Sequence, residues 1–210
     1  MSFQLDREVT NETARIEAFS DGVFAVAITL LIFQIRIPPH APPGGLRLAL
    51  VGLWPSYLAF LASFMTIGVM WLNHHRLFSK ITRKDEGVIV LNLLLLLVVT
   101  WLPFPTALIA EHLRGSHDDQ LTAAVVYAVS LLAIGLVLNV LWQYAIRAKA
   151  VSDHDDVSAI TRHYWTAPIL YAALVGSAFI SADLCLVISA LYALYFACPP
   201  ALWRNRRIRP

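Results

Sequence analysis

The sequence predicts an all-α membrane protein with six transmembrane helices per subunit. Hydrophobic residues make up 58% of the 210-residue chain and charged residues 14%, whereas a soluble domain is about one quarter charged. The apolar residues fall in long runs, and an α-helix needs about 20 of them to cross the roughly 30 Å hydrocarbon core. No ten-residue segments of alternating hydrophobicity occur, so the pattern does not indicate a transmembrane barrel.

Six runs reach or approach this length when frayed ends are allowed for, and together they organise residues 1–210 as a single domain. The fifth is short, and only Ser181-Ala182-Asp183 separates it from the sixth, which predicts a tight helical hairpin and leaves five spans as an alternative. The third carries Leu102-Pro103-Phe104-Pro105-Thr106, whose prolines lack backbone donors and predict a kink or break. The six predicted spans are 16–37, 51–72, 88–109, 121–146, 166–181 and 182–203.

The distribution of Lys and Arg predicts that both termini are cytoplasmic. Cytoplasmic loops of membrane proteins carry an excess of positive charge. With six spans and the N-terminus inside, only Arg36, Arg47 and Arg114 lie outside, which leaves 13 of the 16 Lys and Arg residues on the cytoplasmic side. Five spans would scatter this asymmetry, so an even number is favoured. The basic tail at 204–209 is then a cytoplasmic anchor, and no nucleic-acid partner is expected.

The sequence does not indicate a metal or cofactor site. Cys185 and Cys198 would lie roughly 20 Å apart on one helix, beyond the reach of a disulfide, and no cysteine–histidine spacing is typical of zinc. The acidic loop at 153–156 lacks the calcium-loop pattern and is interpreted as a solvated turn. We therefore expect no bound cofactor.

Two polar clusters fall inside predicted spans at the same cytoplasmic depth, where charged groups are costly and mark function or a structural pair. Three interpretations compete: a metal site, a proton relay, and a hydrogen-bond network that holds the first helix against the second. Adjacent histidines project about 100° apart on a helix, which disfavours the metal site. The network is favoured, with Asp21 expected to meet Asn73, His74 or His75. The clusters consist of Arg15, Phe19, Ser20 and Asp21, and of Trp71, Asn73, His74 and His75.

Beyond Asp21, the first span carries one narrow stripe. Gly22, Val26, Thr29 and Phe33 follow the spacing i, i+4, i+7, i+11 and therefore share one helix face. Thr29 is the only polar residue between Gly22 and Phe33. Periodicity by itself favours a stripe that packs against neighbouring helices.

The same residues resemble the endolysosomal potassium channel family, which comprises transmembrane protein 175 and its bacterial homologues. Three blocks in chain order carry the resemblance, which is close over the first three spans. A single six-span repeat makes the chain similar to the bacterial members. The blocks are Arg15-x-x-x-Phe19-Ser20-Asp21 with the run that follows to Thr29, Trp71-x-Asn73-His74-His75, and Leu102-Pro103-Phe104-Pro105-Thr106.

The resemblance implies a homotetramer in a bacterial cell membrane, with the pore lined by the first helix of each subunit. It implies a potassium-selective cation channel, without catalytic activity and without a carbonyl filter, and the sequence has no Thr-Val-Gly-Tyr-Gly run. Members of the family narrow the pore five residues after the motif aspartate, here at Val26, and place hydroxyls three residues further on, here at Thr29. Valine is smaller than the usual Ile or Leu. The expected partners are lipid, potassium ions and further copies of the chain, and the expected pore-lining residues are Gly22, Val26, Thr29, Leu30 and Phe33.

The chief alternative function is a proton-coupled secondary transporter in which Asp21 and His74 or His75 relay protons. Transporters commonly show inverted repeats and helices broken near the midplane, and no such repeat is visible in this sequence. A haem protein or intramembrane enzyme that uses some of the histidines is a second alternative, although no nucleophile–base pair is evident. The histidines concerned are His74, His75, His112 and His163.

Overall fold

The computed structural model describes residues 2–37, 44–82, 85–151 and 156–197, with the backbone alone for residues 2–13, 156, 159 and 163. The predicted acidic loop at 153–155, Cys198, the end of the sixth span and the basic tail lie outside this part of the chain. The described elements are α1 (Ser2–Leu30), a 3₁₀ turn (Leu31–Gln34), α2 (Leu46–Gly52), α3 (Trp54–Phe78), α4 (Glu86–Trp101), α5 (Pro103–His112), α6 (His117–Arg147), α7 (Asp156–Ala178) and α8 (Ala182–Ala197).

The long helix α6 is the centre of the bundle. It packs against α4, α5, α7 and α8, while α3 packs against α1, α5 and α8. Its large side chains Tyr127 and Trp142 are fully buried. Helix α1 packs against α3, α4 and α5, and its fully buried residues Ser20, Phe24 and Ala27 share one face. The first helix therefore lies at the edge of the subunit.

Four described helical segments are long and apolar enough to cross a membrane: Ala14–Gln34, Trp54–Phe78, Glu86–His112 and His117–Arg147. They correspond to the first four predicted spans, and the all-helical, membrane-spanning class is as predicted. Helix α7 begins at Asp156 rather than at 166, and α8 is apolar but has 16 residues. Residues 179–181 join these two helices in the tight hairpin that the sequence predicts.

The predicted proline break is present. Helix α4 ends at Trp101 and α5 begins at Pro103. The Thr106 hydroxyl lies 2.8 Å from the Leu102 carbonyl and 2.8 Å from Ser63 Oγ on α3. Ser63 in turn lies 3.1 Å from the Tyr127 hydroxyl on α6. These side-chain contacts join the start of α5 to α3 and α6 directly after the break.

A further proline, Pro168, lies inside α7 and was not singled out from the sequence. It has no N–H to donate to the carbonyl of Tyr164, four residues earlier. Asn139 of α6 replaces that donor, with its Nδ2 2.8 Å from the Tyr164 oxygen. The two helices approach closely because Gly135 has no side chain, and a Cβ there would lie 2.6 Å from the Tyr171 ring. A side-chain amide thus takes over a backbone hydrogen bond.

Replacing Asn139 with Leu should lower the melting temperature of the purified protein, because a buried carbonyl left without a donor costs about 1–3 kcal/mol. Pro168→Ala restores the backbone donor, so it should recover part of the loss in the double variant. Gln143→Leu on the same helix is the matched control, since no described residue bonds its buried Nε2. Equal losses for Asn139→Leu and Gln143→Leu, with no recovery by Pro168→Ala, would contradict this assignment.

The α3–α4 connection is tied to the end of α6. Ile81 and Val151 form an isolated β-bridge, and the Thr82 amide donates to the Ala150 carbonyl at 2.8 Å. Asp85 is the N-cap of α4, where its Oδ1 accepts from the Val88 amide and its Oδ2 accepts from the Tyr144 hydroxyl. The hydrogen bonds from the Val88 amide and from the Tyr144 hydroxyl lower the pKa of Asp85 below its ordinary 3.8.

The stabilising effect of Asp85 should therefore depend on pH. A carboxyl whose folded-state pKa is depressed stabilises the fold above its unfolded pKa and ceases to do so as pH falls through the folded value. We expect Asp85→Ala to melt at a lower temperature than the parent at pH 7, with the difference shrinking below about pH 3.8. Asp85→Asn keeps a capping oxygen without the charge, so its difference from the parent should be smaller at pH 7. A difference that is constant from pH 7 to pH 3 would count against the cap.

Candidate ion pathway and the polar network behind it

The stripe on α1 faces away from the rest of its own subunit. Val26 is 56% exposed and Phe33 69% exposed, whereas Phe24 on the opposite face is 2% exposed. Such a division on an apolar helix leaves one face for lipid or for another chain. The four stripe positions and the neighbouring Leu30, all expected from the sequence to line the pore, are exposed in the subunit: Gly22, Val26, Thr29, Leu30 and Phe33.

The two stripe positions that the resemblance emphasises differ in chemistry. Val26 presents methyl groups. Thr29 lies about one turn further along, and its hydroxyl donates to the Val26 carbonyl at 2.9 Å. Because the hydroxyl proton is used within the helix, the lone pairs of Thr29 Oγ1 are available to a cation. Beyond Leu30 the helix tightens into the 3₁₀ turn, where Leu31 is fully buried and holds the end of the stripe against the bundle.

Asp21 has a different partner from those predicted. Its Oδ1 accepts a hydrogen bond from Trp71 Nε1 at 2.8 Å, so the expected pairing with Asn73, His74 or His75 was wrong. Successive residues of α3 project about 100° apart, and Trp71 is the one directed at α1 at this depth. The His75 ring stacks on Trp71, with centroids 6.2 Å apart.

The buried connection between α1 and its neighbours runs through Ser20 instead. Asn92 of α4 donates to Ser20 Oγ at 2.9 Å, and its Oδ1 lies 2.9 Å from His74 Nε2. All three side chains are at most 1% exposed. The His74 ring also packs between Phe24 and Phe78, at centroid distances of 5.3 and 4.2 Å. This Ser20–Asn92–His74 network joins α1, α3 and α4.

Asn92 was missed by the sequence analysis, although the sequence holds a signal for it. It is the single polar residue in the run from Val88 to Val99. A lone amide in an apolar span has to find a hydrogen-bond partner on another helix, because lipid offers none. The position of Asn92 in the sequence therefore predicts that it needs a partner, but not which helix supplies it.

Asn73 contacts the C-terminal end of α8 rather than α1. Its Nδ2 lies 3.4 Å from the Phe196 carbonyl, and Arg76 donates to the Ala197 carbonyl at 3.1 Å. Arg76 also donates to Asn73 Oδ1 at 3.3 Å. The last carbonyls of a helix have no partner within it and carry a partial negative charge, so these two side chains complete the end of α8.

The other members of the predicted clusters have no place in the described network. Arg15 is exposed, and no described residue pairs with its guanidinium group; Phe19 is 57% exposed. His112 Nδ1 lies 2.9 Å from the Leu108 carbonyl, and the His163 side chain lies outside the described residues. Within the described part of the chain, no three His, Cys, Asp or Glu side chains are grouped to hold a metal ion.

Comparisons with known proteins identify the family. The family model for the endosomal/lysosomal potassium channel TMEM175 matches residues 15–103. A potassium channel of Chamaesiphon minutus is 49% identical over 193 residues, which are 89% of this chain and 94% of that protein. The chain belongs to the TMEM175 family. The TMEM175 match contains both polar clusters, the exposed stripe and the start of the proline break, so the predicted resemblance is confirmed.

Further relatives agree along most of the chain. A potassium channel of Streptomyces collinus is 44% identical over 190 residues, 89% of this chain and 92% of that protein. The crystal structure of a lysosomal potassium-selective channel TMEM175 homolog from Chamaesiphon minutus superposes with a TM-score of 0.82 at 47% identity, covering 93% of this chain and 99% of that one. The bacterial, single-repeat type predicted from the sequence agrees with these full-length matches.

Proposed function

We propose that the chain is a potassium-selective cation channel in which four copies surround a pore lined by α1. The carrying observation is the exposed stripe of α1, whose positions coincide with those that the family resemblance implies. Two relatives matched over about nine tenths of this chain are named potassium channels, and the TM-score of 0.82 relates the fold to a potassium-selective homologue.

Selection in this pore does not use a carbonyl filter. Four Val26 side chains form the narrowest apolar ring, where an ion loses water that the valines cannot replace. Potassium holds its hydration shell less tightly than sodium, so the ring passes potassium more readily. About 5 Å further out, four Thr29 oxygens offer lone pairs that partly replace the lost water. The expected discrimination is real but modest.

Assembly and orientation follow from the apolar surface and the charges. Beside the stripe, α1 and α3 form a groove of about 280 Å³ that includes Ile28 and Gly68. In the proposed tetramer, a neighbouring subunit packs over this groove. Six spans, both termini in the cytoplasm and residence in a bacterial cell membrane agree with the asymmetry of Lys and Arg. The relatives are named as channels, and no catalytic activity is proposed.

The geometry favours this channel over a proton-coupled transporter. The Asp21 carboxylate accepts a hydrogen bond from Trp71, whereas His74 bonds Asn92. A relay would need these groups to exchange protons. The network instead fixes α1 against α3 and α4, which is what a rigid pore wall requires.

The test is flux through the purified protein in liposomes, with potassium and sodium measured side by side and with or without a proton gradient. We expect a potassium flux that exceeds the sodium flux and does not depend on the proton gradient. Mass measurement in detergent should give four copies. Flux that requires the proton gradient would support the transporter, and a stable monomer or dimer would contradict the proposed central pore.

A further inference from the structure

The outer end of α1 carries a positive charge that the potassium pathway does not explain. Arg36 follows the 3₁₀ turn by two residues and Phe33 of the stripe by three, and it is exposed. The backbone leading to it is held in place, because Leu31 is fully buried and the Ile35 amide donates to the Ile32 carbonyl at 3.1 Å. Arg36 is therefore fixed near the end of the exposed stripe.

No described acidic residue neutralises this arginine. Arg114, another of the three arginines predicted outside, lies over the Trp54 ring at 5.3 Å from its centroid. Asp119, one of the acids on the same side, accepts a hydrogen bond from the Ser116 hydroxyl at the start of α6 at 2.7 Å. No described side chain pairs with the Arg36 guanidinium group, so its full charge is presented to solvent.

We propose that four copies of Arg36 form a cationic ring at the outer mouth of the pore and make the channel pass outward current more readily than inward current. This inference rests on the proposed tetramer with α1 at its axis. Charges that line the mouth of a narrow pathway change the local concentration of the permeant ion. Four guanidinium groups deplete potassium at the outer entrance, whereas the cytoplasmic entrance, at the opposite end of α1, experiences this field much less.

The effect has a defined dependence on salt. The screening length is about 30 Å in 0.01 M salt and about 3 Å in 1 M salt. The ring therefore acts on entering ions in dilute solution and is screened in concentrated solution. Rectification caused by the ring should be strong in dilute external potassium and should nearly vanish in 1 M external potassium, which a fixed steric obstruction would not do.

The experiment measures currents in excised patches, where the two sides of the membrane are known. At about 0.01 M external salt, Arg36→Gln should raise the ratio of inward to outward conductance roughly two- to fivefold, and Arg36→Lys should behave like the parent because it keeps the charge. In 1 M salt, all three should agree. Arg47→Gln removes a charge from the same predicted side without touching the α1 terminus, and it should leave the ratio unchanged.

A cysteine variant keeps the test independent of folding defects. Arg36→Cys in an assembled, conducting channel should lose rectification, regain it after external treatment with a cationic thiol reagent, and pass still more inward current after an anionic one. Unchanged ratios in Arg36→Gln at low salt, or an Arg36→Lys that matches Arg36→Gln, would overturn the ring. Val26→Phe separates failure of the proposed α1 pore from failure of the Arg36 ring. If Val26→Phe leaves the current intact, α1 does not line the pore. If Val26→Phe suppresses the current and the Arg36 variants have no effect, only the ring is contradicted.

Discussion

Replacing Val26 with Asn is expected to raise single-channel conductance several-fold and to reduce the permeability ratio of potassium to sodium towards one. In the proposed tetramer, four amides would wet a ring that four valines keep dry, and they would supply hydrogen-bonding groups where an ion otherwise gives up water without compensation. Val26→Phe should have the opposite effect on conductance, because four aromatic rings would fill the axis. Single-channel recording with bi-ionic reversal potentials measures both quantities.

Thr29→Val tests the second layer at nearly constant shape. It removes four oxygens whose lone pairs are free for a cation, because each hydroxyl proton is donated to the Val26 carbonyl. Selectivity should weaken, with little change in open-pore width.

The control for both positions is Ile28, which is half-buried on the flank of α1 and packs against the core. Its Cδ1 lies 4.0 Å from the place that a Cβ on Gly68 would occupy. Ile28→Asn is expected to reduce folded yield without changing the permeability ratio of the channels that do form. If Val26→Asn and Val26→Phe both behave like the parent, α1 does not line the pathway.

The sequence predicted those features that depend on local pattern. The exposed face of α1 coincides with the stripe that the family resemblance selects, and the break near Pro103 follows from the missing backbone donors. The first four spans are visible because length and apolarity are all that a membrane crossing demands. None of these conclusions needs knowledge of which helix lies beside which.

The hydrogen bonds that the sequence did not predict depend on how one apolar helix is rotated against another. In water, a polar face shows which side of a helix points outward, but lipid is as apolar as the core. Helix α4 is apolar around its whole circumference, so nothing in its periodicity directs Asn92 towards Ser20 and His74. The Asp21–Trp71 and Asn139–Tyr164 hydrogen bonds are of the same kind, because each joins residues on different helices.

Burial changes which members of the polar clusters should matter most for stability. Asp21 and His75 are exposed in the subunit, whereas Ser20, His74 and Asn92 are almost completely enclosed. A polar group that loses its partner near water can be solvated, whereas an enclosed one pays its desolvation cost in full. We therefore expect the Ser20–Asn92–His74 network to contribute more to stability than Asp21 and His75 do.

Asn92→Ala is accordingly expected to lower the melting temperature of the assembled protein more than Asp21→Asn or His75→Ala does. Removing the amide leaves both Ser20 Oγ and His74 Nε2 without the partner they have in the network, at a cost of about 1–3 kcal/mol. Thermal unfolding in detergent, followed by tryptophan fluorescence and by retention of the oligomer, measures the loss.

A double-mutant cycle on Ser20→Ala and Asn92→Ala separates the network from simple loss of packing. The two side chains meet at 2.9 Å, so their effects should be coupled by about 0.5 kcal/mol or more. Asn92→Ala combined with Asn139→Leu serves as the reference, since Asn139 bonds Tyr164 on α7 and shares no hydrogen-bond partner with Asn92. In the proposed channel the network fixes α1 and does not contact ions, so channels of Asn92→Ala that survive purification should keep the parental permeability ratio. Additive losses in the Ser20–Asn92 cycle, or a changed ion preference with unchanged stability, would place these residues in the ion pathway and not behind it.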